Sequence, residues 1–189
     1  MTRAFHQLGL VLAVGLLTVQ PASEAFAKGR APRESKPVAS KDSASGLQFQ
    51  LVFDNTTYGP NDQVLVRFTL KNTGAKPVWV TKRFYLSAHE TPPTHRDVFL
   101  EVTSPAGKLL PGTYTHQTGF PKCDYFEQLD PGEEVAAEGQ QNLRYYVELK
   151  EPGTYHVVGV YENVFGPEIG LETFQGTVRS APVTFTVTQ

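Results

Sequence analysis

The chain is poor in cysteine, tryptophan and methionine, with one of each among its 189 residues. Because Cys123 is the only cysteine, no internal disulfide bond stabilises the fold. The only methionine is Met1. It would be lost with a cleaved leader, so the remaining chain has no thioether ligand for copper. A single cysteine in a secreted protein either links two chains or stays a free thiol. Free cysteine is among the most buried residue types, and we therefore expect the Cys123 thiol to be buried or half-buried.

Catalytic motifs and an excess of basic residues are also missing. The sequence contains no Gly-x-Ser-x-Gly elbow, no His-Glu-x-x-His and no glycine-rich phosphate loop. Its 17 basic and 19 acidic residues give a formal net charge of −2 at pH 7, whereas nucleic-acid binding requires a basic patch. We therefore predict a protein that is not an enzyme, does not bind nucleic acid and uses no cofactor.

The N-terminal segment has the pattern of a secretion signal. Arg3 precedes an apolar run between Leu8 and Val19, and Ala25-Phe26-Ala27 places small residues where signal peptidase reads the chain. The run is shorter than the ~20 apolar residues of a transmembrane helix. We predict a signal peptide over residues 1–27, cleaved after Ala27. The mature chain would then have no transmembrane segment and be secreted or periplasmic.

A composition change separates a predicted linker from a predicted domain. Residues 28–46 contain no aromatic residue and are rich in Ser, Ala, Pro and charged residues. Such a segment buries too little apolar surface to offset its ordering entropy, so we predict disorder. From Leu47 onward the chain is richer in apolar residues, and we predict one domain over residues 47–189. A domain of this size forms a core without disulfides or metal ions.

Short alternating segments dominate the domain. Residues 47–53 and 64–70 alternate apolar and polar side chains with the period of two that is typical of half-buried strands. The turn residues Asn72 to Pro77 predict a hairpin leading to a strand around Trp79. Further strands are predicted at Val98–Val102, Val135–Ala137, Leu143–Val147, Tyr155–Tyr161 and Val183–Val187. No window has helical periodicity. The pattern predicts an all-β fold, a single antiparallel β-sandwich of about seven or eight strands.

The segment from Leu149 to Tyr155 predicts a corner between two packed sheets. A Pro152-Gly153 turn precedes Tyr155, which opens an alternating strand. In such corners the tyrosine hydroxyl reaches back to the upstream main chain while the ring fills the sheet interface. We therefore predict structural roles for Tyr155 and for Trp79, the only tryptophan.

Several motifs suggest a family. Tyr58-Gly-Pro-Asn-Asp62 leads into an alternating strand that ends in Asn-Thr-Gly74, and Leu129-Asp-Pro-Gly-Glu133 forms a turn before a strand. In these segments, and in 149–163 and 176–187, the chain resembles bacterial secreted immunoglobulin-like domains. A looser similarity is to a bacterial proteinase-inhibitor group with the same sandwich and the same Leu-x-Pro-Gly-Glu turn. The resemblance implies an immunoglobulin-like fold and a non-catalytic role in binding other molecules.

Two long loops carry many apolar side chains. Residues 104–131 and 162–175 are long for connections within a sandwich, and such loops are usually functional when they are ordered. Exposed apolar patches usually mark interfaces; alternatively, these side chains fold back as a lid over one end of the core. We predict that the loops bind a protein or a cell-surface glycan. The predicted contact residues are Tyr114, Phe120, Tyr125, Phe126, Phe165, Ile169, Leu171 and Phe174.

Two alternative functions remain open. A secreted proteinase inhibitor needs a rigid loop, which Pro92-Pro93 or Pro111-Gly112 would stiffen. A metal-binding protein would use the 89–97 loop, where His89 and His95 lie near carboxylates, because imidazole and carboxylate are ordinary zinc and copper ligands. Their spacing matches no recognised ligand motif, so we predict no metal site.

Overall fold

The computed structural model describes residues 46–113 and 120–189. The predicted signal peptide (1–27) and all of the predicted linker except Gly46 lie outside the described residues, and so does Tyr114. In the two described ranges, no helix has the length and apolar character needed to cross a membrane.

The described residues form an all-β fold with twelve strands and four 3₁₀ helices. In chain order the strands are β1 (Leu47–Phe53), β2 (Thr57–Tyr58), β3 (Leu65–Asn72), β4 (Val78–Thr81), β5 (Leu86–Ser87), β6 (Val98–Thr103), β7 (Phe126–Leu129), β8 (Glu134–Ala136), β9 (Gln141–Asn142), β10 (Gly153–Asn163), β11 (Gly176–Arg179) and β12 (Val183–Val187). The 3₁₀ helices are Pro93–His95, Cys123–Tyr125, Leu143–Tyr145 and Pro167–Ile169. The all-β prediction is confirmed. Twelve strands exceed the predicted seven or eight because several pieces are too short to produce an alternating pattern.

Two sheets contain most of the strands. The smaller sheet has the order β1-β3-β8, with β9 also paired to β3, and all its pairs are antiparallel. The larger sheet has the order β2-β12-β10-β6-β5, with β11 also paired to β10. Its short β2–β12 and β5–β6 pairs are parallel, so the antiparallel prediction holds for the long strands and is wrong for these two. Strands β4 and β7 form a separate antiparallel pair.

The core lies between the smaller sheet, which contains β1 and β3, and the larger sheet, which contains β10 and β12. Leu47, Phe49, Leu51 and Phe53 of β1 are each at most 1% exposed, as their alternation predicts. The Phe49 ring faces Tyr161 of β10 with the ring centroids 6.0 Å apart. At Gly159 of β10 a Cβ atom would overlap the Leu51 side chain of β1. A larger residue at this position would therefore force side chains of β1 to move, and glycine favours close contact between β1 and β10.

The predicted tyrosine corner is confirmed. The Tyr155 hydroxyl donates to the carbonyl oxygen of Glu151 at 2.7 Å and accepts the Glu151 N–H at 3.0 Å. The Tyr155 ring is 1% exposed and stacks on Phe185 of β12, with centroids 5.3 Å apart and an interplanar angle of 7°. One side chain thus fixes the turn before β10 and fills the interface between the sheets.

The predicted hairpin at Asn72–Pro77 is wrong. Strand β4 pairs with β7 and not with β3. The buried Asn72 amide donates to the carbonyls of Lys76 and Leu129, both at 2.9 Å. These bonds hold the connection against the turn before β8, so the chain leaves the smaller sheet instead of folding back along β3.

The predicted strand at Leu143–Val147 is also wrong, because a 3₁₀ helix begins at Leu143. The Asn142 side-chain oxygen accepts the N–H of Arg144 at 3.2 Å, which caps this helix. Leu143 itself is 0% exposed, so the helix still directs its first side chain into the core.

We expect Tyr155→Phe to lower the free energy of unfolding by about 1–2 kcal/mol, because the Glu151 main-chain groups lose a hydrogen-bonding partner while the ring packing is kept. Urea denaturation followed by Trp79 fluorescence measures the change. Tyr145→Phe is the matched control, since Tyr145 is 68% exposed. Equal midpoints for the two variants would show that the corner contributes no stability.

We expect the domain to lose stability above about pH 10. Burial raises the pKa of Tyr161 well above 10.0, and burial together with the hydrogen bond to Asp54 raises the pKa of Tyr58. In the unfolded chain both tyrosines ionise near pH 10. Because the folded pKa values are higher, this contribution is fully present below pH 10 and is lost as the pH rises further. Urea denaturation at several pH values between about 8 and 11 should show the free energy of unfolding decrease. The Tyr161→Phe variant should show a shallower decrease with pH. A free energy of unfolding that does not change over this range would contradict the prediction.

Candidate functional site

An open cleft of about 440 Å³ lies between two segments that adjoin edge strands of the larger and the smaller sheet. Its first wall is the segment 82–86, which leaves β4 and joins β5, one of the two edge strands of the larger sheet. Its second wall comes from residues 137–146, which follow β8, one of the two edge strands of the smaller sheet. The lining residues are Lys82, Arg83, Phe84, Tyr85, Leu86, Tyr125, Ala137, Glu138, Gln141 and Tyr146.

A buried ion pair holds the first wall. The side chains of Arg83 and Asp97 are 2% and 0% exposed. The guanidinium meets both carboxylate oxygens, at 3.1 Å from Nε and 2.6 Å from the terminal nitrogen. Asp97 also accepts the N–H of Tyr85 at 3.2 Å. Burial raises the pKa of Asp97, and the hydrogen bonds and charge of Arg83 oppose this effect. The pair ties the segment 83–85 to the start of β6.

The same arginine aligns two tyrosine rings at the cleft. The guanidinium carbon of Arg83 lies 5.0 Å from the ring centroid of Tyr85 and 5.5 Å from that of Tyr125. Such cation–π contacts stabilise the stacked arrangement most when the cation is removed from water, as it is here. Tyr85 is 36% exposed and Tyr125 is half-buried. The cleft therefore presents aromatic surface whose orientation is set by a buried charge.

The first wall contains an unusual backbone conformation. Phe84 has φ +49°, a left-handed value that bulky residues rarely adopt. Its ring is 1% exposed and packs against Phe49 and Tyr161, with centroids 6.5 Å and 6.1 Å away. Core packing at Phe84 and the ion pair of Arg83 together maintain this conformation. Strained residues of this kind are concentrated at functional sites.

The second wall supplies polar groups in fixed positions. The Tyr146 hydroxyl donates to Gln141 Oε1 at 3.0 Å, and β9 holds Gln141 opposite Val66 of β3. Glu138 is exposed. The wall thus combines an aromatic ring, an amide and a carboxylate.

Of the described residues predicted to contact a ligand, Tyr125 lines this cleft. The remainder lie elsewhere on the two long loops. Phe126 and Phe165 are buried, at 4% and 3% exposure. Ile169, Leu171 and Phe174 are half-buried, and Phe120 is 65% exposed.

The two loops contact each other. The ring of Phe120 meets that of Phe165 edge-on at a centroid distance of 5.0 Å. The Cys123 thiol donates to the carbonyl oxygen of Ile169 at 3.2 Å. Much of the 162–175 loop also packs inward, since Phe174 stacks on Tyr161 with centroids 6.4 Å apart. These contacts favour the lid alternative for Phe165 and Phe174; ligand binding by the loops stays a prediction.

Buried polar groups give the 162–175 loop its shape. The Asn163 side chain, in a residue that is 1% exposed, donates to the main-chain carbonyls of Phe165 and Phe174. Trp79 of β4 accepts the Phe174 N–H at 2.8 Å. This hydrogen bond connects β4 to the loop, and the Trp79 side chain is half-buried. Both observations agree with a structural role for Trp79.

The expected burial of Cys123 is wrong, because the residue is exposed. It begins a 3₁₀ helix at the surface. The neighbouring Pro121 and Phe126 are buried in its place.

The 89–97 loop is organised around an arginine. The Arg96 guanidinium donates to the carbonyls of His89 and Thr91 and binds Glu162 of β10 at 2.8 Å. His89 packs edge-on against Phe99 at a centroid distance of 5.0 Å. Within 46–113 and 120–189, no group of three or more His, Cys, Asp and Glu side chains could hold a metal ion.

The prolines considered for an inhibitory loop lie at the surface. Pro92 and Pro93 are exposed, and Pro93 begins the 3₁₀ helix Pro93–His95. Pro111 is exposed, and Gly112 forms an isolated bridge to Val147. The loop that contains Pro92 and Pro93 therefore forms a helical turn over residues 93–95 and is not extended throughout.

Sequence reasoning missed most of the cleft. Its walls are separated by about fifty residues of chain, and the pairing of β9 with β3 that brings Gln141 into place was not predicted. One signal was available in Lys82-Arg83-Phe84-Tyr85, where two charged residues and two aromatic residues follow the apolar run Val78-Trp79-Val80. That signal marks a departure from strand geometry without locating the opposite wall.

Fold and site together define an all-β protein with a preorganised aromatic cleft between the edges of two sheets. No protein-family model matches the chain, and no curated protein was found to be similar to it. The function is therefore inferred from the geometry of the cleft.

We expect Arg83→Met to destabilise the domain by about 3–5 kcal/mol, since it leaves the Asp97 carboxylate buried without its partner. The double variant Arg83→Met/Asp97→Leu should recover much of this loss, because both charges are removed together. Urea denaturation of the two single variants and the double variant completes the cycle. Additive losses would show that the two charges are not coupled.

Proposed function

We propose that this protein is a non-catalytic, secreted or periplasmic binding module with an immunoglobulin-like β-sandwich, and that the cleft holds part of a protein or cell-surface glycan. The cleft is the observation that carries this proposal. Its volume of about 440 Å³ falls within the range of roughly 300–1,000 Å³ that is usual for ligand sites.

Preorganisation supports a binding role. Arg83 is fixed by Asp97 and in turn orients the rings of Tyr85 and Tyr125. A ligand therefore meets side chains that are already ordered, and less conformational entropy is lost on binding. The left-handed Phe84 between two of these residues adds a strained backbone of the kind found at functional sites.

The immunoglobulin-like assignment is supported by the two facing sheets and the tyrosine corner. The Tyr155 hydroxyl binds the upstream Glu151 main chain, as in corners of immunoglobulin-like domains. The long 104–131 loop contributes Tyr125 to the cleft. The predicted class of function, a binding module, is thus kept. The proposed binding site is now the cleft at the sheet edge, and no longer the tips of the two long loops.

The proposal is tested by co-sedimentation of the full-length protein with envelope fragments of the producing organism. We expect the double variant Tyr85→Ala/Tyr125→Ala to bind at least tenfold more weakly, because buried aromatic anchors often contribute ~2 kcal/mol each. Tyr145→Ala is the matched control, since Tyr145 is 68% exposed and does not line the cleft.

Gln141→Ala is a second cleft variant that should also weaken binding, and it does not alter the residues that stack on Arg83. Denaturation midpoints identify any variant that fails to fold. Equal binding by all variants, or no binding by the wild type, would contradict the proposed function.

A further inference from the structure

We infer that the cleft binds a neutral glycan, an inference that rests on the proposed binding function. The basic side chains of the cleft are paired with carboxylates. The basic side chain of Lys82 pairs with Glu127 at 3.4 Å, and that of Arg83 pairs with Asp97. Within the part of the chain that the structure describes, no basic side chain lies within ion-pair distance of Glu138. The cleft therefore has no excess positive charge with which to attract a phosphate, a sulfate or a uronic acid.

The remaining lining groups match the two kinds of surface on a sugar ring. A pyranose has an apolar face of C–H groups and a rim of hydroxyls that both donate and accept. Tyr85 and Tyr125 supply aromatic surface for the face. Gln141 and Glu138 supply planar amide and carboxylate groups for the rim. The Gln141 oxygen already accepts from Tyr146, and the amide nitrogen is the group that can donate to a sugar hydroxyl.

The buried Arg83 side chain also disfavours an anionic ligand. The Arg83 guanidinium is enclosed by Asp97 and two tyrosine rings and is 2% exposed. It therefore orients the tyrosine rings, and although Arg83 lines the cleft, its guanidinium offers a ligand almost no accessible surface. A site for an anionic ligand would instead direct this guanidinium into the cleft, where it could bind the anion with two hydrogen bonds.

The distribution of exposed apolar residues favours a glycan over a protein partner. Stable protein interfaces bury about 800 Å² on each partner around an apolar centre. Among the described residues, the exposed large hydrophobic side chains are Tyr85, Leu109, Phe120, Tyr145 and Val164. Tyr85 alone among these lines the cleft. The site is thus concave and mixed in polarity. These properties suit a sugar chain, whereas a protein partner would need a larger and flatter apolar surface.

The test uses full-length protein and envelope fragments that have been treated in two ways. Periodate cleaves the vicinal diols of sugars, whereas proteinase K removes protein. We expect binding to survive proteinase K, to be lost after periodate, and to change less than twofold between low and high salt, because screening weakens only charged contacts. Calorimetry with neutral 1,4-linked gluco- and manno-oligosaccharides, whose internal rings keep the vicinal diol that periodate cleaves, then identifies the sugar.

Gln141→Ala should weaken binding at least tenfold, while Gln128→Ala, at an exposed glutamine of β7 outside the cleft, should have no effect. Binding lost after proteinase K but kept after periodate would indicate a protein partner and overturn the inference while leaving the proposed function intact. Strong weakening by salt would indicate a charged ligand and would also overturn it. Absence of binding to untreated fragments would contradict the proposed function itself.

Discussion

Tyr161 connects the core, the cleft and the 162–175 loop. Its ring, on β10, packs against Phe49 of the facing sheet, against Phe84 of the cleft wall and against Phe174 of the loop. Its hydroxyl accepts the Thr81 N–H at 2.9 Å, at the point where β4 ends. A buried tyrosine needs such a partner, because an unsatisfied hydroxyl in an apolar interior is costly. One residue thus contacts the facing sheet, the cleft wall and the end of β4.

The cleft depends on this contact through Phe84. With its ring held in the core, Phe84 adopts a left-handed backbone, and the neighbouring Arg83 extends its side chain to the buried Asp97. The ion pair then orients Tyr85 and Tyr125. Core packing and cleft geometry therefore share residues, and a change at the ion pair is expected to affect both stability and binding. The Gln141→Ala variant, on the wall opposite the ion pair, separates the effect on binding from the effect on stability.

Sequence patterns predicted features that depend on neighbouring residues. The alternation of 47–53 identified β1 because strand geometry sends successive side chains to opposite faces. The Pro-Gly turn before Tyr155 identified the corner because its hydrogen bonds span four residues. The hairpin at Asn72–Pro77 was predicted wrongly because Asn72 bonds to Leu129, which is distant in the chain. Of the cleft, only Tyr125 was predicted, from the aromatic content of its loop.

The sequence by itself determined the all-β class, the main strands and the tyrosine corner, since each follows from periodicity or short-range hydrogen bonding. The tertiary structure alone decided that Phe165 is buried and Cys123 exposed, and that Arg83 lies between two tyrosines. These outcomes depend on which distant segments share a surface. A local pattern contains no such information, because burial is set by packing between elements that are far apart in the chain.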